Sequence, residues 1–208
     1  MSRAAELRLL ERTGTLFAQL FFIAAGVYLG NQADAWKEQR NHREAARATL
    51  ANFRAELAKN RDAVAREASY HADLARSFLA ITRDPAGPPR SLNALFERVG
   101  WHGSGPIGFR HTAWDLALAN QSLGYLDQRL AFAVADVYLQ QQKFDEYQAN
   151  TQRAALIPAS LRPDALGGLS VVLWVFYTDA SGSIEPALTR QYGALLPKLD
   201  TAIARLSK

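Results

Sequence analysis

Residues 13–33 carry no charge between Arg12 and Asp34, and their apolar core runs from Leu16 to Leu29. A helix rises about 1.5 Å per residue, so the stretch is roughly 31 Å long against the roughly 30 Å hydrocarbon core of a bilayer. The pattern predicts one transmembrane helix over residues 13–36, behind a short polar segment at residues 1–12. Trp36, Lys37 and Arg40 supply the aromatic and cationic anchors that suit the membrane interface. A cleaved signal peptide is the competing reading, since Arg3, Arg8 and Arg12 precede the apolar run. The far flank argues against cleavage, because the helical pattern runs on through Asn31 and Gln32 into Asp34, Trp36 and Lys37.

Beyond the span, apolar residues recur in a heptad pattern. Leu50, Leu57, Val64, His71 and Phe78 follow one seven-residue register, and Phe53, Asn60, Glu67, Leu74 and Ile81 follow it three positions on. Asn60, Glu67 and His71 interrupt the seam in its middle, and Glu67 and His71, four apart, are placed to pair on one face. The seam requires a partner helix. An intramolecular bundle is expected over an intermolecular coiled coil, because the chain offers its own partner at Leu130, Val134, Val137, Phe144 and Thr151.

Punctuation divides the rest. Prolines 85, 88 and 89 end the long helix. Ser91 is placed to cap a short helix over residues 92–99, and Thr112 with Asp115 forms a capping-box pattern opening a helix to about Ser122. Asp127 is placed to cap the long helix that follows. Residues 166–177 form an apolar run too short to span a bilayer, predicted as a buried core helix with a strand as the alternative. Ser183 then reads as the cap of a last amphipathic helix, in which Pro197 predicts a kink or restart. The expectation is all-α: a transmembrane helix at 13–36 continuing into an extramembrane helical domain at 37–208.

Composition narrows the function classes. In 208 residues, 49% hydrophobic and 21% charged, there is enough apolar material for one domain with a core after the span. The net charge of +4, without a long basic run, suits anionic lipid headgroups and gives no support to nucleic-acid binding. The absence of cysteine removes disulfides, thiolate metal sites and thiol catalysis. Positive charge flanks the span on both sides; the shorter leading flank favours a cytoplasmic N-terminus and a domain on the periplasmic side. Within the span, Gly26 and Gly30 form a G-x-x-x-G step with Gln19 near the same face, the small-residue groove that lets another transmembrane helix approach.

Gly26-Val27 followed by Gln32, Asp34, Trp36, Glu38 and Arg40 resembles a family of uncharacterised bacterial membrane proteins. In that family a Gly-Val span leads into Gln, Asp or Asn, Trp, Glu and Arg. Ala113-Trp114, residues 123–126 and Tyr138 are similar to the same family's Ala-Trp helix, turn and tyrosine-bearing helix. The resemblance implies a membrane-anchored helical domain in the bacterial inner membrane and implies no activity.

Candidate chemistry is sparse. Residues 103–108 fit G-x-G-x-x-G without the strand and helix that a phosphate site needs, and are predicted as a flexible surface loop. His102, His111 and Asp115 lack metal-ligand spacing. Trp101, Trp114 and Trp174 are core candidates, with a pocket between helices as the alternative reading. No catalytic residue, cofactor or metal is expected. The function expected is protein–protein interaction, as an accessory subunit or assembly factor of a membrane complex, with a sensor-like ligand-binding bundle as the alternative.

Overall fold

The computed structural model describes the backbone of residues 3–207 and the side-chain surroundings from Gly26 to Ser207, Val27, Leu29 and Ala33 excepted. Six α-helices follow in order: α1 (Arg3–Thr82), α2 (Leu92–Val99), α3 (Thr112–Ala119), α4 (Gln128–Ala155), α5 (Leu166–Asp179) and α6 (Glu185–Leu206). The fold is all-α, with no strand among the described residues. The chain divides into two compact units, residues 1–45 and 46–208.

In the first unit Gly26 and Gly30 are exposed, and apart from their chain neighbours and their own helix backbone no atom of the described residues comes within 4 Å of where a Cβ would stand on either. Trp36, Lys37 and Arg40 are exposed, and Arg40 pairs with Glu44 at 2.9 Å. The side chain of Gln19 and the apolar core of the expected span up to Ala25 lie outside the described residues. Among the described residues no helix is long and apolar enough to cross a membrane.

The second unit is a helical bundle built on the heptad seam. Leu50, Phe53, Leu57, Val64, Leu74, Phe78 and Ile81 of α1 are all buried against helices of the same chain. Phe53 meets Trp114 of α3 and Tyr138 of α4, and Phe78 stacks on Tyr177 of α5. The seam is therefore filled intramolecularly. Val134, Val137, Gln141, Phe144 and Gln148 are the answering buried face of α4.

Local signals explain some of the helix ends. Ser91 Oγ accepts from Ala94 N–H, and Gly100 closes α2 in a left-handed conformation at φ 69°. Asp127 caps α4 by accepting from Leu130 N–H. Elsewhere the expectations need correction. No capping box opens α3: Thr112 is already its first helical residue, its cap residue His111 makes no side-chain cap bond, and the Asp115 N–H donates to the His111 carbonyl at 2.9 Å; Glu56 of α1 accepts from the Ala113 N–H at 3.1 Å. The helix also stops at Ala119, and a 3₁₀ turn spans Ser122–Tyr125. Ser183 does not cap α6, because its hydroxyl bonds back to the Asp179 carbonyl within a π-helical turn, Ala180–Ile184, that joins α5 to α6. Pro197 sits inside α6 without ending it.

Residues 166–177 are helical, as the run length argues, yet only one side is interior. Leu166, Leu169, Ser170, Leu173, Phe176 and Tyr177 are buried, whereas Val171, Val172 and Val175 are 45%, 42% and 42% exposed.

Candidate functional site

Two of the polar residues in the middle of the α1 seam, Asn60 and His71, bind a loop as well as polar side chains of other helices. Residues 100–111 cross the bundle, and side chains from three helices take up their backbone groups one after another. Asn60 accepts from Arg110 N–H at 3.0 Å and donates to Arg110 O at 2.9 Å. Gln148 of α4 does the same to Ile107, at 2.9 and 3.1 Å. A primary amide presents a donor and an acceptor side by side, so each of these side chains pairs with a loop residue as a neighbouring strand would. Tyr70 donates to Gly103 O and accepts from His102 N–H, and Tyr177 donates to Ser104 O at 2.9 Å. The expectation of a flexible surface loop is thus corrected: the loop is strapped down, and Ile107 is buried beneath it.

His71 stands at the centre of this arrangement and is fully buried. Its Nδ1 faces Glu185 Oε1 at the start of α6, and its Nε2 lies 2.8 Å from Gly105 O. The expected Glu67–His71 pair is not the one formed; Glu67 is half-buried nearby. Both ring nitrogens face acceptors, and only the doubly protonated ring donates on both sides. Burial works against that charge, but the Glu185 bond and charge, the Gly105 carbonyl and the charge of Glu67 outweigh it and raise the His71 pKa.

The close fit depends on Gly105, which holds φ 59°, and a Cβ there would stand 2.9 Å from His71 Nε2. The π turn contributes as well. Tyr177 and Glu185, eight residues apart, would lie about 80° apart on a regular helix. The extra residue of a π turn reduces this to about 20°, so that both reach His71. Glu185 Oε2 is buried without a hydrogen-bond partner among the described residues.

Beside the loop lies a cavity of about 210 Å³. Phe96, Trp101, Leu169, Leu173, Phe176 and Tyr177 wall it, with Ser104, Gln148, Thr151 and Gln152 among its polar side chains. Of the tryptophans considered from the sequence, Trp101 lines it; Trp114 packs on Phe53 and Tyr138 instead.

The remaining candidates disperse. His102 stacks on Tyr70 with ring centroids 3.8 Å apart, while His111 lies 3.1 Å from Asp145, whose carboxyl burial pushes up despite that bond. Among the described residues no three His, Asp or Glu side chains are grouped to hold a metal.

Glu185, Gln141 and Gln148 are the residues that sequence reasoning missed. Gln141 bonds Asn60 and Tyr192 in the core, at 3.2 and 2.9 Å. Both glutamines occupy slots of the α4 seam, between Val137, Phe144 and Thr151, and that spacing was the available signal. Glu185 carries no comparable local mark, since its partner is 114 residues away.

Comparison with family models, with curated proteins and with solved structures finds no match for this chain.

Proposed function

We propose that this chain is a single-pass, membrane-anchored helical protein of the bacterial inner membrane, with its helical domain on the periplasmic side. It acts by binding a protein partner, as an accessory subunit or assembly factor of a membrane complex, and not by catalysis. The observation that carries the reading is the outer face of α5. A helix apolar all round is normally covered all round, yet Val171, Val172 and Val175 face outward together. Each valine lowers helix propensity relative to alanine by up to about 0.7 kcal/mol, and in this chain the exposed three gain little packing in return. A partner surface supplies the missing burial.

The anchor rests on the uncharged run of residues 13–33 and its flanking Trp36, Lys37 and Arg40. The open Gly26 and Gly30 suit contact with a second transmembrane helix, either a partner subunit's or another copy's. Against catalysis stands the way the buried polar groups are used: His71 is sealed between Glu185 and Gly105, out of reach of a substrate.

The test uses the full chain and its Val171→Glu, Val175→Glu double variant. Both should pellet with membranes after carbonate washing and melt alike. The wild type should retain a membrane-complex subunit in mild detergent, and the variant should lose at least tenfold of it. Release of the full-length chain by carbonate would defeat the anchor, and equal recovery from both proteins would defeat the α5 interface.

A further inference from the structure

We propose that the cavity between the 100–111 loop, α4 and α5 binds a small, neutral, planar aromatic molecule carrying a single hydrogen-bonding group. This goes beyond partner binding and stands whether or not the α5 valines are covered.

Size sets the first limit. An apolar cavity of about 150 Å³ takes up benzene, so one of about 210 Å³ suits a larger ring system, two fused rings at most. Voids larger than a water molecule are few in protein interiors, and water needs two to four polar partners to settle in one. Here the walls are mostly aliphatic and aromatic.

The walls also set the shape and charge of the occupant. Phe96 and Trp101 stack nearly parallel, at 4.8 Å and 12°, while Tyr177 meets Phe176 and Trp101 edge-on at 74° in both cases. The rings that line the space thus stand at several different tilts, so a flat aromatic guest is expected to find offset-stacked or edge contacts among them. No Asp, Glu, Lys, Arg or His lines the space, so a charged ligand would lose its hydration without compensation.

One polar group of the ligand is provided for. Gln148 is committed to Ile107 and the Tyr177 hydroxyl to Ser104 O. Ser104 Oγ accepts from Gln152 at 3.2 Å, which leaves the serine proton to donate and the Gln152 carbonyl oxygen to accept. A hydroxyl on the ligand finds both roles at this end of the cavity. Two of the lining residues, Pro106 and Leu156, the latter 66% exposed, lie outside the helices and are open to solvent.

The probe is 2-naphthol, a neutral two-ring phenol, titrated calorimetrically into the detergent-solubilised full chain with empty micelles as the blank. Naphthalene-2-sulfonate serves as the charged counterpart. Expected are saturable binding of one 2-naphthol per chain, a raised melting temperature, and at least tenfold weaker binding of the sulfonate. Ala155→Phe, which places a ring in the cavity from α4, should weaken 2-naphthol binding at least tenfold. Gln152→Leu at the polar end should weaken it about fivefold with the melting temperature unchanged, and it decides the matter if Ala155→Phe does not fold. Absence of saturable binding to the wild type would overturn the proposal. So would equal binding of the sulfonate, or undiminished binding by a folded Ala155→Phe or Gln152→Leu protein. The valine variant should bind 2-naphthol as the wild type does, so failure here and failure of the α5 interface are distinguishable.

Discussion

Replacing Glu185 by Gln keeps the shape of the α6 start and removes the carboxylate that faces His71 Nδ1. With both residues buried, the loss cannot be made good by solvent. Breaking a buried ion pair by removing one partner typically costs about 3–5 kcal/mol, most of it the uncompensated charge left behind. If His71 instead gives up a proton, one of its two acceptors, the new amide oxygen at position 185 or the Gly105 carbonyl, faces a lone pair. A domain of this size loses about 2–4 °C of melting temperature per kcal/mol, so the variant should melt about 6–20 °C lower. Circular dichroism at 222 nm on the solubilised full chain reads this directly.

The pH dependence supplies the second half of the prediction. The folded-state pKa of His71 is raised above its unfolded value of about 6.5. Below about pH 6.5 both states hold the proton and the pair contributes fully. As pH rises through the folded-state value the proton leaves, and the contribution is lost. Wild-type stability should therefore fall as pH is raised from 6 into the alkaline range, and Glu185→Gln should flatten that fall. A melting temperature within about 2 °C of wild type, or an unchanged pH slope, would refute the reasoning that His71 and Glu185 form a charged pair.

Gly105→Ala should lower the melting temperature more than Gly87→Ala. Both pay about 1–2 kcal/mol for a left-handed backbone, but only at Gly105 does the new Cβ press on His71, whereas Gly87 is open. Gly30→Leu, at an exposed position where a Cβ meets no other described part of the chain, should leave thermal melting unchanged and reduce crosslinking to another helix in membranes; unchanged crosslinking removes the glycine step from consideration. His111→Ala breaks a partly exposed pair with Asp145 and should cost under about 1 kcal/mol. A His111→Ala protein that melts like wild type but no longer retains its partner would place function in the loop and not on α5.

Features that depend on a few neighbouring residues are legible in the sequence. Ser91 and Asp127 cap their helices because a side-chain oxygen two or three positions ahead of an amide is a local matter. The α1 seam is legible because burial on one face imposes its period on the residues themselves. The same local pattern misleads at Thr112, because the helix begins one residue earlier than the pattern implies and the Asp115 amide bonds the His111 carbonyl. It misleads again at Ser183, whose hydroxyl finds the carbonyl of the preceding turn.

The candidate site is less legible because its parts come from the whole length of the second unit. His71 is held by Gly105 and Glu185, and the loop by Asn60, Tyr70, Gln148 and Tyr177. The composition of residues 166–177 reads as core throughout. Apolarity alone cannot tell a helix buried by its own chain from one that awaits cover, and the exposed Val171, Val172 and Val175 become visible only with the bundle assembled.

Photocrosslinking from position 172 in intact membranes tests the central claim most directly. With a benzophenone amino acid in place of Val172, carbonate-washed membranes should yield one discrete crosslinked product, lost when Val175→Glu is added. The same group at Gln142, exposed on α4, should give none. A crosslinked product equally strong from both positions, or none from position 172 with the chain found in the carbonate supernatant, would contradict a membrane-anchored domain that binds its partner through the outer face of α5.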